Sequence, residues 1–327
     1  MTVSRAMRNH PNVAPATRRL IVNAARKAGY APDPYMARLM ARVRSHRHKD
    51  SEAVVAVLRD YHQGDDLLDS AYHYAPLRDI SHHAARYGYR AEEFRLDRAK
   101  MSPERLRQIL DARGIEGLIV SPQSSRSIGR EMDYSGFAAV TLGYGLPNPG
   151  LHRASTNMTR GILKATRELA DRGYRRIGLA VSEWIDARSD HTYTGAMLNH
   201  QRLIRPADRV PLLLFPKNNI AEDKRYFCTW FRRHRPDVVI SFDTYVPDWL
   251  TGDLGLSIPG DCGFVVHDWI ERCPHHAGID HRRPDVIGAA MDLLATQLLN
   301  NERGVPAVAR QVLIEPAWID GPSIRPR

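Results

Sequence analysis

Cysteine is scarce in this sequence, and its few thiols are not spaced as pairs. Cys228, Cys262 and Cys273 make an odd number in 327 residues, and none belongs to a CxxC pair. This argues against a disulfide framework and favours reduced thiols in a cytoplasm. No apolar run approaches the length of a membrane span, and the N-terminus lacks the apolar segment of a signal peptide. The sequence therefore predicts a cytoplasmic protein without membrane contact.

Motifs of catalysis and cofactor binding are also missing. There is no phosphate-binding GxxxxGK[ST], no GxGxxG after a strand and no GxSxG elbow. The hydroxyl-rich stretch SPQSSRSIGRE (121–131) has no nearby histidine to act as a base, which favours a surface loop. We therefore predict a protein that is not an enzyme and that needs no cofactor.

One cluster of possible metal ligands stands out, in the stretch CPHHAGIDH (273–281). It brings Cys273, His275, His276 and His281 within nine residues. A structural zinc site usually takes ligand pairs from two separate clusters, and no second CxxC or HxxxH pair exists here. A loop lining a binding cleft is the favoured interpretation, and no metal is predicted.

Positive charge is concentrated at one end of the chain. The formal net charge is +10, yet residues 1–50 contain 11 Lys and Arg against two Asp, a net charge of +9. The other 277 residues are almost neutral. Such a cationic segment points to a polyanionic partner, because binding to phosphates releases condensed counterions. A disordered basic tail is the alternative, but these charges alternate with apolar residues at helical spacing.

That spacing predicts three short helices in the basic segment. The first places Val3, Ala6 and Met7 on one face. The second begins near Pro15, a favoured position for proline, and ends at Gly29. The third covers YMARLMARVR (35–44) and is too short to be stable alone. The expected buried face of the second helix consists of Leu20, Ile21, Ala24 and Ala28.

The stretch TVSRAMRNHPNVAPATRRLIVNAARKAGYAPDPYMARLM (2–40) resembles the DNA-binding head of the lactose-repressor (LacI/GalR) family of bacterial transcription regulators. The resemblance extends over residues 2–44. It implies that Thr-Val-Ser-Arg begins a recognition helix for the major groove and that a hinge helix follows Pro34. The expected domains are a partial helix-turn-helix head at 1–33, a hinge helix and linker at 34–51, and a two-lobe effector-binding and dimerisation domain at 52–327.

The resemblance has two further consequences for the head. The scaffold helix and turn of the family would precede residue 2, so Met1 is expected to be an internal methionine or the gene to be truncated. Ala14 occupies the place of a capping Ser, which should weaken the helix cap. The residues implied to contact DNA, with Leu39 as a minor-groove wedge, are Thr2, Ser4, Arg5, Arg8, Asn12, Thr17, Tyr30, Arg38 and Leu39.

Short apolar runs alternate with amphipathic stretches through the rest of the sequence. The runs include AVVAVL (53–58), GLIVS (117–121), FAAVTL (137–142), RRIGLAV (175–181), VPLLLF (210–215), DVVIS (237–241) and GFVV (263–266). Buried strands joined by helices form parallel sheets. We therefore predict an α/β protein with two doubly wound parallel-sheet lobes. This body resembles the periplasmic-binding-protein-like body of the same regulators, in which a ligand lies between the lobes.

The resemblance also implies an effector site, although this sequence departs from the family pattern there. Asp268 matches the family's ligand-contacting Asp, whereas Thr192 replaces the usual Arg and Phe242 the usual Asn. The expected effector-binding residues are Asp268, Asp243, Thr192, His281, Trp269 and Phe242. Because the Asn and the Arg are missing, a sugar is one candidate effector among others.

The leading hypothesis is a homodimeric transcription regulator, expected to be a repressor, that binds a palindromic operator in double-stranded DNA under control of a small molecule. A solute-binding protein with the same two-lobe fold is the alternative, but it would not need a cationic head. Fold alone does not separate the two. The sequence leaves open the effector, the operator and whether the effector releases or recruits DNA.

Overall fold

The computed structural model describes most of the chain as two compact units. The described residues are 6–7, 13–28, 53–60, 75–122, 127–216, 219–271 and 274–326. The first unit contains Met1–Ser155 and Pro284–Val312, and the second contains Thr156–Arg283 and Leu313–Arg327. The chain therefore passes between the units at residues 155/156, 283/284 and 312/313.

The strands follow the predicted apolar runs, with additions between them. In chain order they are β1 Ala53–Asp60, β2 Tyr89–Leu96, β3 Gly117–Val120, β4 Ala138–Leu142, β5 His152–Thr156, β6 Ile177–Ser182, β7 Leu213–Phe215, β8 Val238–Ser241, β9 Gly263–Trp269, β10 Ala277–Asp280, β11 Gln311–Ile314 and β12 Ala317–Ile319.

The α-helices lie between these strands. In chain order they are α1 Pro15–Lys27, α2 Leu77–Ala85, α3 Pro103–Ala112, α4 Met158–Asp171, α5 Glu183–Arg188, α6 Thr192–Arg202, α7 Ile220–His234, α8 Val246–Asp248 and α9 Arg283–Asn300. Three of them begin with a side-chain cap formed by Ser or Asn. Ser102, Asn157 and Asn219 each accept a hydrogen bond from the backbone N–H three residues later, at 3.2, 3.1 and 2.7 Å.

Each unit contains one six-stranded sheet. The orders are β11-β5-β4-β3-β1-β2 and β12-β10-β9-β8-β6-β7. The pairs β1–β2, β1–β3, β3–β4 and β4–β5 are parallel, as are β6–β7, β6–β8, β8–β9 and β9–β10, whereas β12 is antiparallel to β10. Helices bury both faces of the central strands, so β3, β4, β6 and β8 are buried along their whole length. The predicted fold class is confirmed.

Two helical regions of the second unit contain irregular turns. Helices α5 and α6 are separated by a turn in which Asp190 and His191 have left-handed backbone conformations, with φ of 54° and 55°. The short α8 is followed by a π-turn at Trp249–Asp253. Strand β5, of sequence HRAST, was not predicted, because it has no apolar run, although all five of its residues are buried.

The expected buried face of α1 is wrong. The helix begins at Pro15 as predicted, and Ala14 provides no side-chain cap. However, Leu20 is 73% exposed, Ala24 and Ala28 are exposed, and no described residue of the helix is buried. No described element covers this face, so its apolar residues are not buried. Gly29, its expected end, lies outside the described residues, as does the predicted hinge helix.

No helix within the described ranges combines the length and apolar character that crossing a membrane requires.

Candidate functional site

The carboxyl ends of the parallel strands in the second unit gather the predicted effector residues. Strand β6 lies between β7 on one side and β8 on the other, so the direction of winding reverses at β6. Open α/β sheets bind ligands outside the carboxyl ends of their strands at such a point. The polar residues at or just beyond these ends are Ser182, Ser241, Asp243, Asp268, Asp280 and His281.

Asp268, the best-matched residue of the resemblance, is half of an ion pair. Its Oδ2 accepts a hydrogen bond from the guanidinium of Arg283, and the two side chains are only 13% and 15% exposed. Its Oδ1 is buried without a hydrogen-bond partner among the described residues. The carboxylate is therefore held in place through one oxygen and has an acceptor available on the other. No sequence pattern pointed to Arg283, which is the first residue of α9 and lies 15 residues after Asp268.

Asp243 has partners that the resemblance did not indicate. It is 4% exposed, its Oδ1 accepts a hydrogen bond from the hydroxyl of Tyr245 at 3.0 Å, and its N–H donates to Ser241 Oγ at 3.1 Å. Burial and the neighbouring Asp243 carboxylate raise the pKa of Tyr245, so the phenol stays protonated and remains a donor. Phe242, the residue between them, is half-buried against the apolar core of the second unit.

Thr192 lies in a turn organised by a residue that the sequence analysis missed. Its hydroxyl donates to the carbonyl of Ser189. Next to it, Asp186 is 1% exposed and accepts from the Thr194 N–H at 3.0 Å, the Thr194 hydroxyl at 2.7 Å and His191 Nδ1 at 3.0 Å. These bonds hold the left-handed turn between α5 and α6. Asp186 had no distinguishing sequence signal, because its partners are set by that turn.

His281 and Trp269 are both engaged within the second unit. His281 is 2% exposed, and its Nε2 lies 2.5 Å from the carbonyl oxygen of His267. Trp269 is half-buried and donates through Nε1 to the carbonyl of His276 at 3.1 Å. His267, which the sequence analysis also missed, is fully buried beside Tyr193 of α6, with ring centroids 4.7 Å apart. This contact places the start of α6 next to the carboxyl end of β9.

The described side chains of the possible metal-ligand cluster do not come together around one point. His275 is exposed, and the half-buried ring of His276 packs edge-on against Phe264. Cys273 lies outside the described residues. Within the ranges that the structure describes, no three His, Cys, Asp or Glu side chains are grouped to hold a metal ion.

Of the residues expected to contact DNA, the structure describes Thr17 alone, which is exposed on α1. The others lie outside the described residues, and their roles stay predictions: Thr2, Ser4, Arg5, Arg8, Asn12, Tyr30, Arg38 and Leu39.

Comparisons with known proteins agree with this architecture. Residues 1–33 match the family model of the bacterial regulatory proteins, lacI family. No curated protein sequence matches the chain. Among solved structures, the transcriptional regulator CelR in complex with cellobiose superposes with a TM-score of 0.61 at 16% identity, covering 98% of this chain and 94% of that one.

Two further structures give the same result. The Lac repressor bound to ONPG in its repressed state has a TM-score of 0.59 at 16% identity, again covering 98% of this chain and 94% of the other. A LacI-family regulator from Enterococcus faecium with bound ribose has a TM-score of 0.56 at 16% identity, over 84% of this chain and 99% of that one. At this identity the superpositions establish the fold. The chain thus joins a head sequence that matches the lacI family model to a body that resembles LacI-family regulators in fold.

Proposed function

We propose that the protein is a DNA-binding transcription regulator that acts as a repressor, and that a small molecule bound to its second unit controls its DNA affinity. The observation that carries this proposal is the family match of residues 1–33 within a 50-residue segment of net charge +9. A cationic helical head on a two-unit ligand-binding fold suits a regulator better than a solute-binding protein. The proposed location is the cytoplasm.

The proposed DNA partner is a palindromic operator bound by a homodimer. A two-fold dimer presents two identical heads, and two identical half-sites match that symmetry. Arg5, Arg8 and Arg38 are proposed to contact phosphates or bases, with Leu39 wedged into the minor groove.

The proposed effector is a neutral sugar or another small polyhydroxylated molecule. Solved structures of similar fold are described with cellobiose, ribose and ONPG. In this protein, the buried oxygens Asp268 Oδ1 and Ser182 Oγ have no hydrogen-bond partner among the described residues. Ligand hydroxyls would supply the missing donors. We propose Asp268 and Trp269 as the contacting pair. Asp243, Thr192, His281 and Phe242 then shape the site from positions where they are already bonded or packed.

The experiment measures DNA binding and ligand binding separately on the full chain. Fluorescence anisotropy with a random 30-base-pair duplex tests the head, and genomic fragments captured by the protein and sequenced define the operator. We expect the affinity to fall about a thousandfold between 50 and 200 mM salt if roughly six phosphates are contacted. Arg5→Gln with Arg8→Gln should weaken binding, whereas Arg167→Gln, an exposed residue of α4, serves as the matched control.

Ligand binding is tested by thermal shift with cellobiose, ribose and other neutral sugars. Stabilisation of the parent that is lost in Asp268→Asn supports the proposed site. Sugar binding without measurable DNA binding would instead favour a solute-binding protein. DNA binding that does not depend on salt or on the head arginines would refute the regulator.

A further inference from the structure

Two buried histidines of the second unit are in direct contact, and their geometry fixes where their protons lie. Nε2 of His281 is 2.5 Å from the carbonyl oxygen of His267, so this nitrogen carries a hydrogen and donates it. The same nitrogen is 3.3 Å from Nδ1 of His267. Nδ1 must therefore be unprotonated, because two N–H groups would otherwise face each other. A neutral His267 consequently carries its hydrogen on Nε2.

That remaining N–H of His267 has no hydrogen-bond partner among the described residues. It faces Gly161 of α4, where a side-chain Cβ would come within 3.1 Å of the nitrogen. The imidazole thus fills a space left by a glycine and lies in an apolar environment. A charged form of this ring would have no acceptor there to replace water.

The pair lies next to two of the places where the chain passes between the units. The carbonyl of His281 accepts a hydrogen bond from the hydroxyl of Thr156 at 2.5 Å, and Thr156 is the first residue of the second unit. Two residues after His281, Arg283 ends the unit's central segment. The adjacent Asn157 N–H donates to the carbonyl of Ile314 at 2.9 Å, close to the third passage. The imidazole contact therefore supports the segments that enter and leave the unit.

The groups that face the two histidines provide little electrostatic compensation for a positive charge on either ring. Helix α6 contributes the ring of Tyr193, α4 contributes Gly161, and β10 contributes the apolar Ile279 and the carboxylate of Asp280. Asp268 at the end of β9 favours protonation of His281, but it is already paired with Arg283, whose charge opposes protonation. Burial lowers the pKa of His281 and, together with His281 itself, lowers that of His267 well below its usual value.

We propose that the contact between His267 and His281 is a pH-sensitive joint that holds the entering and leaving segments together only while both rings are neutral. A proton on Nδ1 of His267 would set its N–H against the N–H of His281, and it would place a cation in an apolar pocket. The joint then opens, and Thr156 loses the fixed carbonyl that its hydroxyl contacts. An opened form, in which water reaches the rings, binds protons at higher pH than the closed pair, so mild acidification favours opening and loosens the second unit at its connections, whether or not DNA or an effector is bound.

The sign of the pH effect follows from the protons that each state binds. In the unfolded chain both imidazoles titrate near pH 6.5, whereas the folded pair stays neutral to lower pH. The unfolded state therefore gains protons first, and stability is lost as the pH falls below about 6.5. At pH 5.5 an imidazole that stays neutral in the folded state lowers the folded-to-unfolded ratio by up to about tenfold, and two such imidazoles by up to about a hundredfold.

The test is urea unfolding of the full chain at pH 8.0 and pH 5.5, followed by tryptophan fluorescence. His267→Gln and His281→Gln each remove one titrating ring, and His275→Gln, an exposed residue of the same unit, is the matched control. We expect acidification to cost the parent and the control about tenfold more in folding equilibrium than either variant. Four other imidazoles also have lowered pKa values, so the difference between proteins is decisive: His152, His200, His234 and His276.

A second measurement does not depend on how the variants fold. Hydrogen exchange of the parent, corrected for intrinsic rates, should show that residues 156–161 and 278–283 lose more protection at pH 5.5 than strands β3 and β4 of the first unit. Equal loss in both places, or equal acid sensitivity of parent and folded variants, would overturn the joint. Neither result depends on DNA or effector binding, so the proposed function stands or falls separately.

Discussion

The ion pair between Asp268 and Arg283 yields the prediction that bears most directly on the effector site. Asp268→Asn removes the negative charge, and with it the ion pair to the guanidinium of Arg283, at a position where both side chains are about 85% buried. Breaking a fully buried pair costs about 3–5 kcal/mol, whereas an exposed pair contributes about 0–1 kcal/mol. For these largely buried side chains we expect about 2 kcal/mol of lost stability.

A double-mutant cycle isolates the pair from other effects of each substitution. The cycle combines Asp268→Asn with Arg283→Gln, and the free energy of unfolding of each protein is measured by urea denaturation at pH 7.5. The double variant should be more stable than the sum of the two losses implies, by about 1–2 kcal/mol, because each single substitution already removes the same ion pair. Arg282→Gln, the exposed neighbour, should change stability by less than about 0.5 kcal/mol.

The cycle also decides how Asp268 is presented to an effector. A coupling free energy below about 0.5 kcal/mol would refute the reasoning, and both oxygens of Asp268 would then be available to a ligand. A coupling in the expected range means that Arg283 fixes the carboxylate through Oδ2 and leaves Oδ1 for the effector. Arg283→Gln should in that case weaken sugar binding while leaving the DNA affinity of the head unchanged.

Three further predictions test other parts of the molecule. Gly178→Ala should cost about 1–3 kcal/mol in urea unfolding, because its Cβ would lie 2.6 Å from the Trp230 ring; an unchanged midpoint would show that the ring moves aside freely. Asp186→Ala removes three hydrogen bonds of a buried carboxylate and should cost about 3 kcal/mol, with loss of exchange protection at the start of α6; a cost below about 0.5 kcal/mol would contradict its role in the turn. Leu39→Ala should reduce operator bending, measured by fluorescence energy transfer between labelled DNA ends, while nonspecific affinity stays nearly constant; equal bending would exclude the wedge.

Much of the fold could be predicted from the sequence, for identifiable reasons. Parallel strands are buried on both faces, so continuous apolar runs such as VVAVL and DVVIS predict strands even when their neighbours in space are unknown. The family match of the head also depends on a local pattern, because charge and helical spacing coincide within residues 1–33. The resemblance at Asp268 lies within one strand, and the role of this residue stays a prediction. Local patterns carry these features because the residues that define them are adjacent in the chain.

Only the tertiary structure determined which residues contact the candidate site residues. It also determined whether a segment with a given local sequence pattern is buried. Arg283 reaches Asp268 across 15 residues, and Thr156 meets His281 across 125, so neither contact leaves a trace in sequence spacing. Strand β5 is polar in sequence but fully buried, because it pairs with β4 inside the sheet and so lies away from solvent. Helix α1 shows the converse: its amphipathic pattern predicts a buried face, yet burial requires a second surface, and no described element of the chain supplies one.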